Sequence, residues 1–527
     1  MIPERCEIRR APEPGAQRQQ KTILKRLLER DDLIVVAGGS PGCLRSLYRQ
    51  ARSVGKLGQL MLCPLTRVEY ASGRYLAKIQ SCLQRAVDTP GVRAVVVYAS
   101  CVDFLMNSDY SPVAARLRNP QNVRVEVLFR GPLARRTVPV SARTQEILDT
   151  LPPQTGRVDC GAPLPPPAPD FDGLNAVLDD WGGERLLLSS GGCTGCLTRT
   201  GEQSPPLFSR MDDVLLSMGC EGALTKAIAA AHTGEPELFL LQATVPSFLA
   251  VDVPAVERGL RARNVPARFV RSDGWSPAPA ALARFFLACG QAARWERPAE
   301  GERPRVGIWG YSYLANGRKE LLAPGIALLR RAGFAVEFWT PDSPACSLHW
   351  VVSSDGLPLA RWAEEKFGIS FAAGIPIGAR QEAAWLSRFT GQANAEPAAA
   401  GAPAAADGTV LLTGEPLLVE RLAAYFDERM PRARVQKALY RPAYPEAQYG
   451  APGWRFFGDG DELRQLARGA AIFVGDPLLC EQLSAPCAIP VPHPLISGDL
   501  FAGLEYRCFG AAGAEYLDAF LRNAARK

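Results

Sequence analysis

Histidine is scarce in this chain, with His232, His349 and His493 the only three among 527 residues. Sites built on several imidazoles therefore have little to draw on. No stretch approaches the roughly 18 consecutive apolar residues that a membrane-spanning helix needs, and the opening MIPERCEIRR is charged where a secretory leader is apolar. A soluble, cytoplasmic protein without a membrane partner is expected. The formal net charge of +6 is small for this length and lacks the strong basicity of a nucleic-acid binder. Its excess lies in the first third and reads as solvated surface. There is no G-x-x-x-x-G-K-[ST] phosphate loop and no G-x-G-x-x-G with a downstream acidic ribose ligand, so ATP and dinucleotides are expected to be handled elsewhere.

What is present is a recurring layout of short apolar strand, glycine-bearing turn and amphipathic helix. LIVVAGG from Leu33, AVVVYAS from Ala94, RLLLSSGG from Arg185 and LFLLQAT from Leu238 show it. So do RVGIWGY from Arg305, TVLLTGE from Thr409 and AIFVGDP from Ala471. This pattern predicts an α/β protein of several Rossmann-like domains, with parallel sheets flanked by helices. The Pro-rich stretch near 152–169, the junction RPAEGERP from Arg297 and the Ala/Pro tract from Ala395 read as surface segments or linkers. The expected division is 1–150, 151–300, 301–394, a linker 395–408, and 409–527.

The first two parts read as an internal duplication. LIVVAGGSPGCLRSLYRQ from Leu33 matches RLLLSSGGCTGCLTRTGEQ from Arg185, YASCVDFL from Tyr98 faces QATVPSFL from Gln242, and DYSPVAARLR from Asp109 faces VDVPAVERGLR from Val251. Order is kept over the whole span, as in a duplicated domain with altered loops.

Fourteen cysteines in a reducing compartment are expected to stay free. Cys82, Cys289, Cys480 and Cys508 sit in apolar patterns and read as buried, inert thiols. Others follow glycine turns, where a side chain can point toward a shared centre. The spacing from Cys6 to Cys43 nearly repeats from Cys160 to Cys196, and Cys101 follows a strand at the carboxyl end, where open parallel sheets place ligands. Its counterpart in the second copy is Val245. Thiolates suit iron-sulfur clusters or zinc, and clusters commonly take four. Structural zinc favours repeated C-x-x-C pairs, of which Cys193 with Cys196 is the single example, so an iron-sulfur cluster is the preferred reading over zinc and over thiols merely packed at glycine turns.

At these residues the chain resembles nitrogenase component 1 proteins. GGSPGC and GGCTGC are similar to that family's His-Gly-Pro-x-Gly-Cys turn, and YASCVDFL is similar to its strand-end cysteine with a nearby acidic residue, here Asp109. PLFSRMDDVLLSMGCEGALTKAI from Pro206, GIWGYSYLANGRKELLAPGIALLRRAGF from Gly307 and IFVGDPLLCEQL from Ile472 extend the likeness over nearly the whole chain. The resemblance implies a cluster shared between two homologous halves, with Cys6, Cys43 and Cys101 as one ligand set, Cys160 and Cys196 as two members of the other, and Cys193 available for the place opposite Val245. Gly38 and Gly191 stand where the family has His, and one cysteine is missing. A four-iron cluster is therefore expected rather than an eight-iron one, with a further metallocofactor unassigned.

The resemblance also implies an ATP-dependent iron-sulfur reductase as electron donor, and a second component 1-like subunit or a homo-oligomer as assembly partner. The expected function is an oxidoreductase acting on an unidentified substrate. Two other readings stand beside it: a scaffold that assembles or hands on a metallocofactor, and a cluster-free binding protein. His493, in VPHPLISG, is the histidine considered for a substrate pocket.

Overall fold

The computed structural model describes residues 6–11, 22–130, 138–154, 156–189, 193–198, 204–211, 213–232, 237–295, 303–343, 346–392, 408–483 and 485–524. Gly191, Gly192, most of the junction from Arg297 and the 395–408 tract except Gly408 lie outside them. The chain forms two compact units, Met1–Ser276 and Pro277–Lys527. Both are α/β, with mostly parallel sheets flanked by helices.

Among the described residues the first unit holds β1 (Cys6–Arg10), β2 (Leu33–Gly39), β3 (Leu60–Pro64), β4 (Ala94–Ala99), β5 (Arg124–Phe129), β6 (Glu184–Leu188), β7 (Leu207–Met211), β8 (Leu238–Gln242) and β9 (Ala267–Val270). One sheet runs β3-β2-β4-β5 and the other β1-β7-β6-β8-β9. Leaving β1 aside, the two orders are the same, strand for strand. β2 and β4 are buried along their whole length, which is why LIVVAGG and AVVVYA are continuous apolar runs rather than alternating ones.

The correspondence extends to a turn. Ser100 caps the helix Cys101–Leu105 in a reciprocal capping box with Asp103. Thr244 caps the helix Val245–Ala250 in the same way with Ser247. β1 departs from the linear order of the halves: it pairs antiparallel with β7, Cys6 opposite Met211 and Arg10 opposite Leu207. The first cysteine of the first half thus lies on the edge of the second half's sheet.

The second unit holds β10 (Arg305–Trp309), β11 (Ala335–Phe338), β12 (Leu348–Val351) and β13 (Phe371–Ala373) in the order β11-β10-β12-β13. It also holds β14 (Thr409–Thr413), β15 (Arg434–Tyr440), β16 (Trp454–Phe457), β17 (Ala470–Gly475) and β18 (Cys487–Pro490) in the order β16-β15-β14-β17-β18. All these pairings are parallel. The helix Ala278–Ala292 belongs with this unit, where it packs on the helix Leu357–Phe367. Gly290 permits the approach, because a Cβ there would collide with Leu359 Cδ1. Among the described residues no helix is long and apolar enough to cross a membrane.

Candidate functional site

Gly39 closes β2 with φ +147°, and the helix Pro41–Ser53 starts at once, placing Cys43 in its first turn. A Cβ on Gly39 would lie 3.6 Å from Cys43 Cβ, 3.6 Å from Ser100 Cβ and 3.2 Å from Arg130 Nη2. The positive φ is what calls for glycine here, and a side chain would fit only in ordinary contact with the turn after β4. Ser100 leads directly into Cys101, whose thiol donates to the Arg130 carbonyl at 3.6 Å. Arg130 spans both strand ends, donating from Nη2 to Gly38 O at 3.0 Å and from Nε to Tyr98 O at 3.3 Å. It thereby ties the two strand ends together.

Asp103 anchors this corner. Its carboxylate is fully buried and accepts from Ser100 N at 2.6 Å, Ser100 Oγ at 2.6 Å, Tyr110 OH at 2.7 Å and Tyr70 OH at 3.2 Å. The family likeness pointed instead to Asp109, which is exposed and caps its own turn by accepting from Ser111 N at 2.9 Å. The S-x-x-D spacing of a capping box was the signal for Asp103.

The second half supplies Cys196, buried at the end of the short turn Cys193–Cys196, which packs on the helix Pro41–Ser53. Arg49 of that helix donates to Leu197 O at 2.7 Å and Cys196 O at 3.5 Å. Arg45, also buried, donates to Pro166 O at 2.8 Å and Thr198 Oγ1 at 3.3 Å. Asp172 completes the network, accepting from Thr198 N at 2.9 Å and Thr198 Oγ1 at 2.9 Å. Burial pushes the Cys196 thiol well above its ordinary value; Asp172 and Cys43 add to this, while Arg49 and Arg45 oppose it. Burial likewise raises the Asp172 carboxyl against the pull of Arg45. Both arginines are ties between the halves.

The six cysteines proposed from sequence therefore separate. Cys43 and Cys196 lie near enough to affect each other's charge across the seam between the halves, and Cys101 starts the helix that follows the neighbouring strand β4. Cys6 shares a side with Cys101, both packing on the apolar cluster of the second sheet. The side chain of Cys193 lies outside the described residues. Cys160 is elsewhere: its amide donates to Gly58 O at 2.7 Å, just ahead of β3, and neighbouring Val158 donates to Asp31 O ahead of β2. That is the amino-terminal end of the sheet, opposite Cys43 and Cys101, and burial pushes its thiol up to about 11.

Among the described residues no three Cys, His, Asp or Glu side chains converge closely enough to hold a single metal ion. A multi-iron cluster places its own atoms between its thiolates, so thiols too far apart to share one ion can still serve one cluster. None of the three histidines joins them. His232 Nδ1 pairs with Glu184 at 2.6 Å, His349 is stacked on Trp309, and His493 Nε2 meets Tyr444 OH at 3.1 Å. His493 is buried between Pro492 and Pro494, which line a cleft of about 260 Å³ in the second unit.

The seam carries a pH signature. Asp170 is buried and accepts from the amides of Asp273 at 2.6 Å and Gly274 at 3.0 Å; burial, with the nearby Asp273 charge, pushes its carboxyl up to about 8. Between the ordinary carboxylate value and about 8 the folded chain holds a proton that the unfolded chain has lost. Stability is thus expected to fall as pH rises through that window and to level off above it. Denaturant melts across pH 4.5 to 8.5 check this; an Asp170→Asn variant with the same slope as the native chain would contradict it.

No protein-family model matches the sequence, and no curated protein matches it. Among solved structures, one titled "Nitrogenase Cp1 at pH 6.5" is similar over 95% of this chain and 90% of its own, with 10% identity and a TM-score of 0.35. A second, titled "Nitrogenase Cp1 at pH 5", is similar over 68% of this chain and 85% of its own, with 14% identity and a TM-score of 0.47.

Proposed function

We propose that the chain is a nitrogenase component 1-like oxidoreductase whose first unit binds a four-iron cluster through Cys43, Cys101 and Cys196, with Cys6 as fourth ligand and Cys193 as the alternative. When bound, the cluster supplies one-electron transfer, received from an ATP-dependent iron-sulfur reductase and passed toward an unidentified substrate. The observation that supports this reading is that Cys43 and Cys101 start the helices after β2 and β4, adjacent strands of one sheet, while the Cys193–Cys196 turn of the second half packs on the helix that carries Cys43. Arg130, Arg45 and Arg49 support it, because a cluster held by four thiolates carries negative charge that burial would otherwise penalise.

The surface around the seam supports a partner of twofold form. Val68 is 62% exposed and Leu105 44% exposed on the first half; Met218 is 82% exposed and Leu249 59% exposed on the second. They sit in the helices after β3 and β4 and after β7 and β8, so each apolar residue has a counterpart in the other half. Exposed apolar groups in such an arrangement suit docking.

Purified anaerobically, the protein is expected to contain about four irons per chain with matching sulfide. Met218→Glu with Leu249→Glu should leave that iron in place while slowing electron delivery from a nitrogenase-type reductase and ATP by about tenfold or more. Absence of iron and sulfide after anaerobic reconstitution would sink the proposal.

A further inference from the structure

A second pair of cysteines lies outside the seam. Cys63 is fully buried in β3, and Cys82 is half-buried on the helix Tyr75–Val87, which packs directly on that strand. The fit is close: a Cβ on Gly38, which β2 places beside Cys63, would sit 2.7 Å from Ile79 Cδ1 of the helix. Lys78 clamps the helix to the strand by donating to Pro64 O at 2.6 Å, one residue beyond Cys63. Cys82 follows Lys78 by one helical turn, on the same face. The two side chains share one apolar cluster, near enough for each thiol to be felt by the other. Sequence pattern alone made Cys82 an inert packed thiol; its neighbour makes it half of a dithiol.

We propose that Cys63 and Cys82 form a redox-active dithiol that small disulfides oxidise reversibly to an intramolecular disulfide. Cys82 is the attacking group, being the half-exposed partner. The neighbouring Cys63 thiol, with Arg85 and Lys78 alongside, holds its thiol below the usual value, and a thiolate is the nucleophile in such exchange. Cys82 sulfur attacks one sulfur of the small disulfide and the first small thiol leaves with a proton. Cys63 sulfur then attacks Cys82 in the mixed disulfide and the second small thiol leaves with the other proton. Two protein thiols are oxidised to one disulfide while one small disulfide is reduced to two thiols, and excess thiol reverses both steps. The site is independent of the cluster proposed at the seam.

The test uses the full chain, purified anaerobically, exposed to oxidised glutathione and mapped without reduction. Lys56, Arg67, Lys78 and Arg85 place each cysteine alone on its own tryptic peptide, 57–67 and 79–85. The expected product is these two peptides joined with loss of two hydrogens, returning to free thiols with dithiothreitol. In Cys63→Ser, Cys82 should accumulate as a stable glutathione adduct, because no resolving thiol remains. In Cys82→Ser, Cys63 should stay unmodified. A persistent glutathione adduct on Cys82 in the unaltered chain would overturn the proposal. So would both thiols remaining free while the seam cysteines oxidise.

Discussion

Replacing Cys43, Cys101 or Cys196 singly by alanine is expected to remove most of the bound iron and the paramagnetic signal of the reduced protein, whereas Cys160→Ala retains both. The contrast separates the spacing argument from the tertiary one. By spacing, Cys160 is the partner of Cys6. In the fold its amide is bonded to Gly58 O at the amino-terminal end of β3, a strand length away from the turns that carry Cys43 and Cys101. A cluster cannot draw on both ends of one sheet, because a five-residue strand spans roughly 17 Å. Cys6→Ala and Cys193→Ala then decide the fourth ligand, since Cys6 already packs on the side occupied by Cys101. Iron and sulfide assays with paramagnetic resonance at equal protein concentration give the answer. Loss of the cluster in Cys160→Ala with retention in Cys196→Ala would reverse the assignment.

Asp103→Ala is expected to destabilise the first unit by about 3–5 kcal/mol, because it strands several buried donors at once. Tyr110 OH at 2.7 Å, Tyr70 OH at 3.2 Å and both Ser100 groups at 2.6 Å lose their acceptor. The same change dissolves the capping box that starts the helix at Cys101, so iron retention should fall with stability. Asp103→Asn keeps one acceptor oxygen and should cost clearly less. Equilibrium denaturation reads both variants; an alanine variant within about 0.5 kcal/mol of the native chain would remove Asp103 as the anchor of this corner.

Seven of the strands were legible in sequence, because a parallel sheet covered on both faces needs continuous apolar runs, and AVVVYA and LIVVAGG can bury themselves no other way. The turn carrying Cys43 was legible for a related reason: Gly39 ends the strand at φ +147°, a conformation that favours glycine, so it advertises the place. The arginines were not. Arg45 and Arg49 carry the same letters whether a helix faces water or the other half of the unit, and only the packing of the Cys193–Cys196 turn on that helix turns them inward.

Local chemistry and order along the chain were therefore determined by the sequence itself: apolar runs, caps, glycine turns and the echo between the two halves. Their effects are settled within a few residues. Tertiary structure alone decided that β1 joins the second sheet, that Cys6 and Cys160 part company despite nearly equal spacing, and that Cys63 finds Cys82. An edge strand's partner and a thiol's neighbour depend on which surfaces meet after folding, and linear spacing carries no record of that meeting.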